Sequence, residues 1–288
     1  LNKVLPFPSV GNTNYNIKIL DPTCGSGIFL VESLNRLLDR WEMANSDKSL
    51  DFNTICAIVK ENIFGVEQEK EAIKVAAFSL YLAMLNRLDP KNLWQTGKFP
   101  YLIYEPENTD LEKQGNNLFR MSTISSGPFE EIEYDLIVGN PPFKKGGLDK
   151  DVSQYLKKHG FAQEAVIAFL HKAAKLCPKG KIALVTGIKI LFNTGKPYQK
   201  FREFLFGKTY VEEIYNFSIL RNATKEEGGS LFGSATGPAG ILFYSNTFPE
   251  NPSNRLVYVA PKTVLKNRFM NGIAIDATDI KYLPREEV

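Results

Sequence analysis

Cysteine and histidine are both scarce, with three cysteines (Cys24, Cys56 and Cys177) and two histidines in 288 residues. The cysteines are far apart and have no CxxC or His-rich companion spacing, which argues against a disulfide framework or a zinc site and fits a reducing cytoplasm. No window approaches the ~20 apolar residues a membrane span requires, and no charged stretch followed by an apolar core opens the chain. The chain begins at Leu1 and reads as soluble and as part of a longer protein. Internal repeats and low-complexity segments are absent too. What is present is enough length and apolar content, 43% of 288 residues, to bury a full core as one large domain.

The net charge of +3 hides an uneven distribution. Residues 1–143 hold 13 Lys and Arg against 19 Asp and Glu, a balance of −6, whereas residues 144–208 hold 14 against 4, a balance of +10. A local basic excess of this size suits a polyanionic partner, although a charge run also suits a solvated face.

Apolar runs of strand length alternate with segments of helical period, the pattern of an α/β sheet. Strands are expected at 16–20, 63–67, 114–118, 134–138, 181–186, 211–217, 240–244 and 256–259, with helices at 28–41, 69–87, 163–176 and 198–206. Residues 42–60 read as an inserted segment, and 90–113 and 144–160 as surface loops. Residues 1–275 are expected to form one domain and 276–288 a linker running out of it.

Two constellations carry chemistry. In the first, the run from Asp21 to Leu30, DPTCGSGIFL, reads as a strand end, a glycine turn and a helix start. Gly25 and Gly27 let backbone amides and a ligand approach closely. A GxGxxG fingerprint and a Gly-Lys-Ser/Thr P-loop are both lacking, so dinucleotide and nucleoside triphosphate readings lose ground. The next strand ends in Gly65-Val66-Glu67-Gln68. A carboxylate there can accept both hydroxyls of a ribose, which implies a nucleoside-containing cofactor.

In the second, DLIVGNPPF, residues 135–143, ends a strand in an amide, two prolines and a ring. Proline at 141 biases Asn140 away from helical geometry, and the two prolines remove amide donors, leaving an acceptor-rich corner. The Asn140 side-chain oxygen and the Pro141 carbonyl can take the two N–H bonds of an exocyclic amine, Pro142 stiffens the turn, and Phe143 offers a face for a flat base. Such a corner suits methylation of an amino group on an aromatic ring, a poor nucleophile whose developing positive charge two acceptors would stabilise. A strand stop followed by a core Phe explains the tetrapeptide alone, but less well with the glycine turn upstream.

In this order, DPTCGSGIFL, GVEQEKEAIKVAAFSLYLAML and DLIVGNPPF resemble motifs I, II and IV of the N6-adenine DNA methyltransferases of the gamma arrangement, and most closely the methylase portion of type IIG restriction-modification and related phage-defence enzymes. GNNLFR, 115–120, resembles motif III; residues 181–186 with the preceding helix resemble motifs V and VI; and LFGSA, 231–235, through Phe243 resembles motif VIII and the final hairpin. The resemblance implies a Rossmann-like, S-adenosylmethionine-dependent methyltransferase fold: a mostly parallel seven-stranded sheet, helices on both faces, and an antiparallel terminal hairpin.

It also implies S-adenosylmethionine as cofactor, with Asp21, Thr23, Gly25, Gly27 and Phe29 around its methionine part, Glu67 on the ribose, and Gln68 near the adenine. Asn116 or Asn117 would stand where the family has an aspartate near that adenine. Asn140, Pro141, Pro142 and Phe143 would hold the target base, Phe232 would be its second face, and Lys144 and Lys145 would contact phosphates of double-stranded DNA. Reaching the base requires flipping it from the stack, at a cost of a few kcal/mol. Restriction or specificity regions of the same chain or system are the other implied partners, with no metal and no membrane.

Motif X is not recognisable in the first 20 residues, and sequence specificity is expected to lie in a missing C-terminal part. His171 reads as helix packing. Asn-Pro-Pro-aromatic also occurs in guanine-N2 methyltransferases of ribosomal RNA and in glutamine methyltransferases of release factors, and a non-catalytic DNA-binding module of a defence complex is the remaining alternative.

Overall fold

Ile19–Asp21 forms β1, and all three residues are buried. A strand with neither face in water belongs inside an α/β sheet covered on both sides. The computed structural model describes residues 1–89, 91, 97–219, 238–261 and 275–287, and the chain divides into two units, Leu1–Gly139 and Asn140–Val288.

In the first unit β1 is followed by α1 (Ile28–Ala44), α2 (Phe52–Asn62), β2 (Ile63–Val66), α3 (Lys70–Leu85), β3 (Ile103–Tyr104), β4 (Leu118–Phe119) and β5 (Leu136–Gly139). The strands lie in the order β5-β1-β2-β4-β3, all parallel. Asp21 lies opposite Gly65, and Leu20 opposite Ile137, so the carboxyl ends of β1, β2 and β5 share one edge. Helix α1 buries Leu30, Leu34, Leu37, Leu38 and Trp41, and each fully buried leucine contributes about 1.5–3 kcal/mol.

The same helix carries two buried arginines that hold the chain ahead of β1. Arg36 donates to Leu5 O at 2.6 Å and to the Asn2 side chain at 2.7 Å, and Arg40 donates to Pro6 O at 2.7 Å and to Asn14 O at 3.0 Å. Carbonyl acceptors let these charges be buried. Within the segment expected as an insertion, Asp51 caps α2 by accepting from Thr54 N at 2.7 Å, and Phe52, Ile55, Ile58 and Val59 are buried along it.

The second unit contains α4 (Lys150–His159), α5 (Ala165–Leu176), β6 (Lys181–Gly187), α6 (Lys196–Lys208), β7 (Tyr210–Asn216), β8 (Ala239–Ser245), β9 (Arg255–Val259) and β10 (Ile280–Pro284). Here β8 runs antiparallel to both β6 and β7, β7 runs parallel to β9, and β10 runs antiparallel to β9. In the first unit β3 lies within a stretch expected as a loop, and in the second unit two stretches differ from expectation. Residues 150–159, expected in a loop, are helical because Val152 and Leu156 bury one turn apart while the lysines point outward. In the stretch expected as a linker, β10 pairs with β9 from Ile280 opposite Val259 to Pro284 opposite Arg255. No described helix is long and apolar enough to cross a membrane.

Candidate active site

Where β1 ends, the chain turns sharply into α1. Gly27 makes this possible: its φ of +87° is a left-handed conformation, and a Cβ there would lie 3.1 Å from Ala76 on α3. The turn is tied by Gly27 N donating to Cys24 O at 2.7 Å and Cys24 N donating to Val66 O at 3.0 Å. From the end of β2, Glu67 reaches across, its carboxylate accepting from Gly25 N and from Glu69 N at 3.0 Å each. The first unit thereby brings Asp21, Thr23, Gly25 and Glu67 together. Phe29 is half-buried on the first turn of α1, and Gln68 is exposed.

Asp21 is 1% exposed. Burial pushes its carboxyl up to about 7, a hydrogen bond from Thr23 N at 3.0 Å pulls the other way, and the Glu67 carboxylate adds to the rise. The backbone leading out of β5 closes over it, since a Cβ on Gly139 would lie 2.5 Å from Asp21 Oδ1. Next to this carboxyl the Thr23 hydroxyl is buried and has no hydrogen-bond partner among the described residues. A Cβ at Gly25 would meet nothing within 4 Å. A buried carboxyl, an unmatched hydroxyl and open space over a glycine fit a ligand with a cationic, hydrogen-bonding end. They fit the ammonium and carboxylate of a methionine moiety, and Glu67 fits a ribose.

Asn140 follows Gly139 directly and opens the second unit; its side chain is exposed, Pro141 is buried, Pro142 is exposed and Phe143 is half-buried. Residues 61–221, more than half of the chain, match the family described as Eco57I restriction-modification methylase. The chain belongs to this family.

Among curated relatives of this methylase, the type II restriction enzyme and methyltransferase RM.Eco57I of Escherichia coli is 24% identical over an alignment of 243 residues, covering 73% of this chain and 24% of the relative. The adenine-specific methyltransferase PglX of Streptomyces coelicolor is 24% identical over 158 residues, covering 47% of this chain and 13% of the relative. The chain thus spans a quarter or less of these two proteins. Among solved structures, the DNA-bound Type ISP restriction-modification enzyme LlaBIII superposes with a TM-score of 0.60 at 13% identity, over 94% of this chain and 20% of that one. The M protein of the Type I restriction enzyme EcoKI gives 0.57 at 15%, over 87% and 48%. These likenesses show the fold: a mostly parallel α/β sheet with antiparallel terminal strands.

The remaining expected residues of the methylase fall out differently. Asn117 is buried and its side-chain amide donates to Val59 O, Lys60 O and Ile63 O at 3.1, 3.1 and 2.8 Å. It ties off the carboxyl end of α2, which uses up its donors, whereas Asn116 is exposed. Lys144 and Lys145 are both exposed. Lys145, however, is engaged, with its ammonium 3.1 Å from Glu164 Oε1 and 3.2 Å from the Tyr198 hydroxyl, contacts that raise its pKa. Tyr198 also donates to Glu164, and Ala165 N donates to Lys144 O at 3.0 Å. The chain just past Phe143 is therefore clamped to the starts of α5 and α6. Neither Glu164 nor Tyr198 was visible as a site residue in the sequence, because they meet across 34 positions. Phe232 and the LFGSA stretch lie outside the described residues.

Proposed function

We propose that this chain transfers a methyl group from S-adenosylmethionine to the exocyclic N6 of a flipped-out adenine in DNA, as the modification part of a restriction-modification or phage-defence system in the cytoplasm. The observation that carries this reading is a buried, cation-seeking Asp21 carboxyl with Gly139 packed on it at the strand ends of the first unit, followed directly in sequence by the acceptor-rich corner Asn140-Pro141-Pro142-Phe143 that opens the second unit.

When bound, S-adenosylmethionine supplies an electrophilic sulfonium methyl group. Asp21 and Thr23 would hold its ammonium and carboxylate, Gly25 and Gly27 would leave room for it, Phe29 would pack beside it, and Glu67 would turn from the Gly25 and Glu69 amides to the ribose hydroxyls. On the substrate side, Asn140 and the Pro141 carbonyl accept the two amino hydrogens and so orient the nitrogen lone pair toward attack; both acceptors stabilise the positive charge that develops there. Phe143 stacks on the extruded base, offsetting part of the cost of flipping. No strong base is needed before attack, and the excess proton leaves to water afterwards. Double-stranded DNA is the partner, together with restriction or specificity regions of the same chain or system.

The test is a methyl-transfer assay with labelled S-adenosylmethionine against three substrates: unmethylated duplex DNA, ribosomal RNA and a release-factor peptide containing glutamine. Label in DNA alone is expected. Label in RNA or peptide alone would replace the DNA reading with one of its alternatives.

A further inference from the structure

The second unit carries a basic groove that the methyl-transfer reading leaves unused. It is a shallow, open depression of about 500 Å³ between α4, α5 and α6, with Lys158, Lys175, Lys200 and Lys208 around it and Glu203 as its one carboxylate. Lys158, Lys200 and Lys208 form no ion pair with any described residue, while Lys175 donates to His159 Nε2 at 3.0 Å. An imidazole nitrogen that accepts from an ammonium belongs to a neutral ring, so His159 adds no charge of its own. Burial and the neighbouring Lys175, Lys158 and Lys200 all push its pKa down.

The groove floor is aromatic. His171 meets Phe204 at 4.5 Å and Phe161 at 5.1 Å between ring centroids, edge to face, and Tyr155 holds His171 Nδ1 at 2.7 Å. Lys200 lies over the Gly160 backbone, where a Cβ would be 2.8 Å from its ammonium. A merely solvated face spreads like charges apart. Here three helices aim them into one concavity, where they repel one another until an anion arrives.

We propose that this groove is a docking track for the sugar–phosphate backbone of DNA, its lysines neutralising phosphates of the strand that flanks the target adenine. The row from Lys200 to Lys208 on α6 is about 12 Å long, long enough to reach neighbouring phosphates of one strand. Tyr198, which is bound to Lys145, stands two residues before Lys200 on the same helix. The proposal rests on the DNA methylase reading and adds a site that the reacting residues do not form.

The test is binding of a fluorescent duplex of about 30 base pairs by anisotropy, at roughly 50–200 mM salt, for the wild type and the triple variant Lys158→Gln, Lys200→Gln, Lys208→Gln. The variant is expected to show a salt slope shallower by about 2–3 and binding weaker by about 10–100-fold, because each phosphate contact contributes about one unit of slope. The triple Lys→Arg variant should keep the wild-type slope, which separates lost charge from a damaged fold. Methyl transfer to DNA is measured on the same preparations. A wild-type slope in the Gln variant of an active enzyme overturns the groove and leaves the methylase reading intact. A shallower slope in a protein that methylates no DNA supports the groove and sinks the methylase reading. Movement of the His159 ring signals by tripolyphosphate or polyglutamate but not by DNA overturns the assignment to nucleic acid.

Discussion

At Asp21 the protein buries a carboxyl group and gives it a single backbone donor, an arrangement that costs stability wherever the group is charged. Its pKa rises from 3.8 to about 7 on folding, so its contribution is fully present below about pH 4 and is lost as pH rises through about 7. Asp21→Asn should therefore remove that loss: urea unfolding should find the variant more stable than the wild type at about pH 8, while its S-adenosylmethionine affinity falls. His171 behaves in the opposite sense. Burial first, then Lys175 and His159, take its pKa from 6.5 down to about 3, so its contribution is present above about pH 6.5 and is lost as pH falls toward 3. His171→Phe should flatten the acid side of the stability profile. Gly27 shows a third kind of constraint: Gly27→Ala places a Cβ in a left-handed turn against Ala76 and should cost about 1–3 kcal/mol, read as a lowered melting temperature.

Among the elements, helices α1, α3, α5 and α6 were legible to within about three residues, because each has an apolar face at helical spacing. Helix α4 was hidden by its composition: lysines dominate it, and only Val152 and Leu156 mark its buried side. Leu156→Ala should cost about 2–5 kcal/mol, as a leucine with no exposed surface leaves a cavity. Strand β10 was masked by its charged and exposed residues, and became a strand because β9 offers it a full edge. The meeting of Asp21, Gly25 and Glu67 was legible because they lie at or just past the ends of strands that pattern alone locates. The engagement of Asn117 with α2 was not legible, since α2 must fold before its carbonyls can claim the amide. The Glu164–Tyr198–Lys145 clamp likewise exists only once α5 and α6 are in place. Glu164→Gln and Tyr198→Phe loosen the chain after Phe143 without touching the base; kcat should fall about tenfold or more, since small misplacements are costly at a reacting centre, while KM for S-adenosylmethionine stays unchanged. Equal changes in both would contradict a positioning role.

Taken whole, the molecule splits its tasks between its units: the first holds the glycine turn and the two carboxylates at the open edge of its parallel strands, and the second begins with the acceptor corner and carries the basic helices. The acidic and basic balances of the two sequence regions follow the same division, with −6 through Phe143 and +10 over residues 144–208. That division suits the cofactor and the DNA proposed above. The measurement that bears most directly on it is nucleoside analysis of duplex DNA after incubation with S-adenosylmethionine and the wild-type protein or its Asn140→Ala variant. The account predicts N6-methyladenine with the wild type and loss of it by at least about a hundredfold with the variant, which still binds the cofactor. Methylated adenine at equal levels with both proteins, or a methyl group found on another base, would contradict the role assigned to the corner.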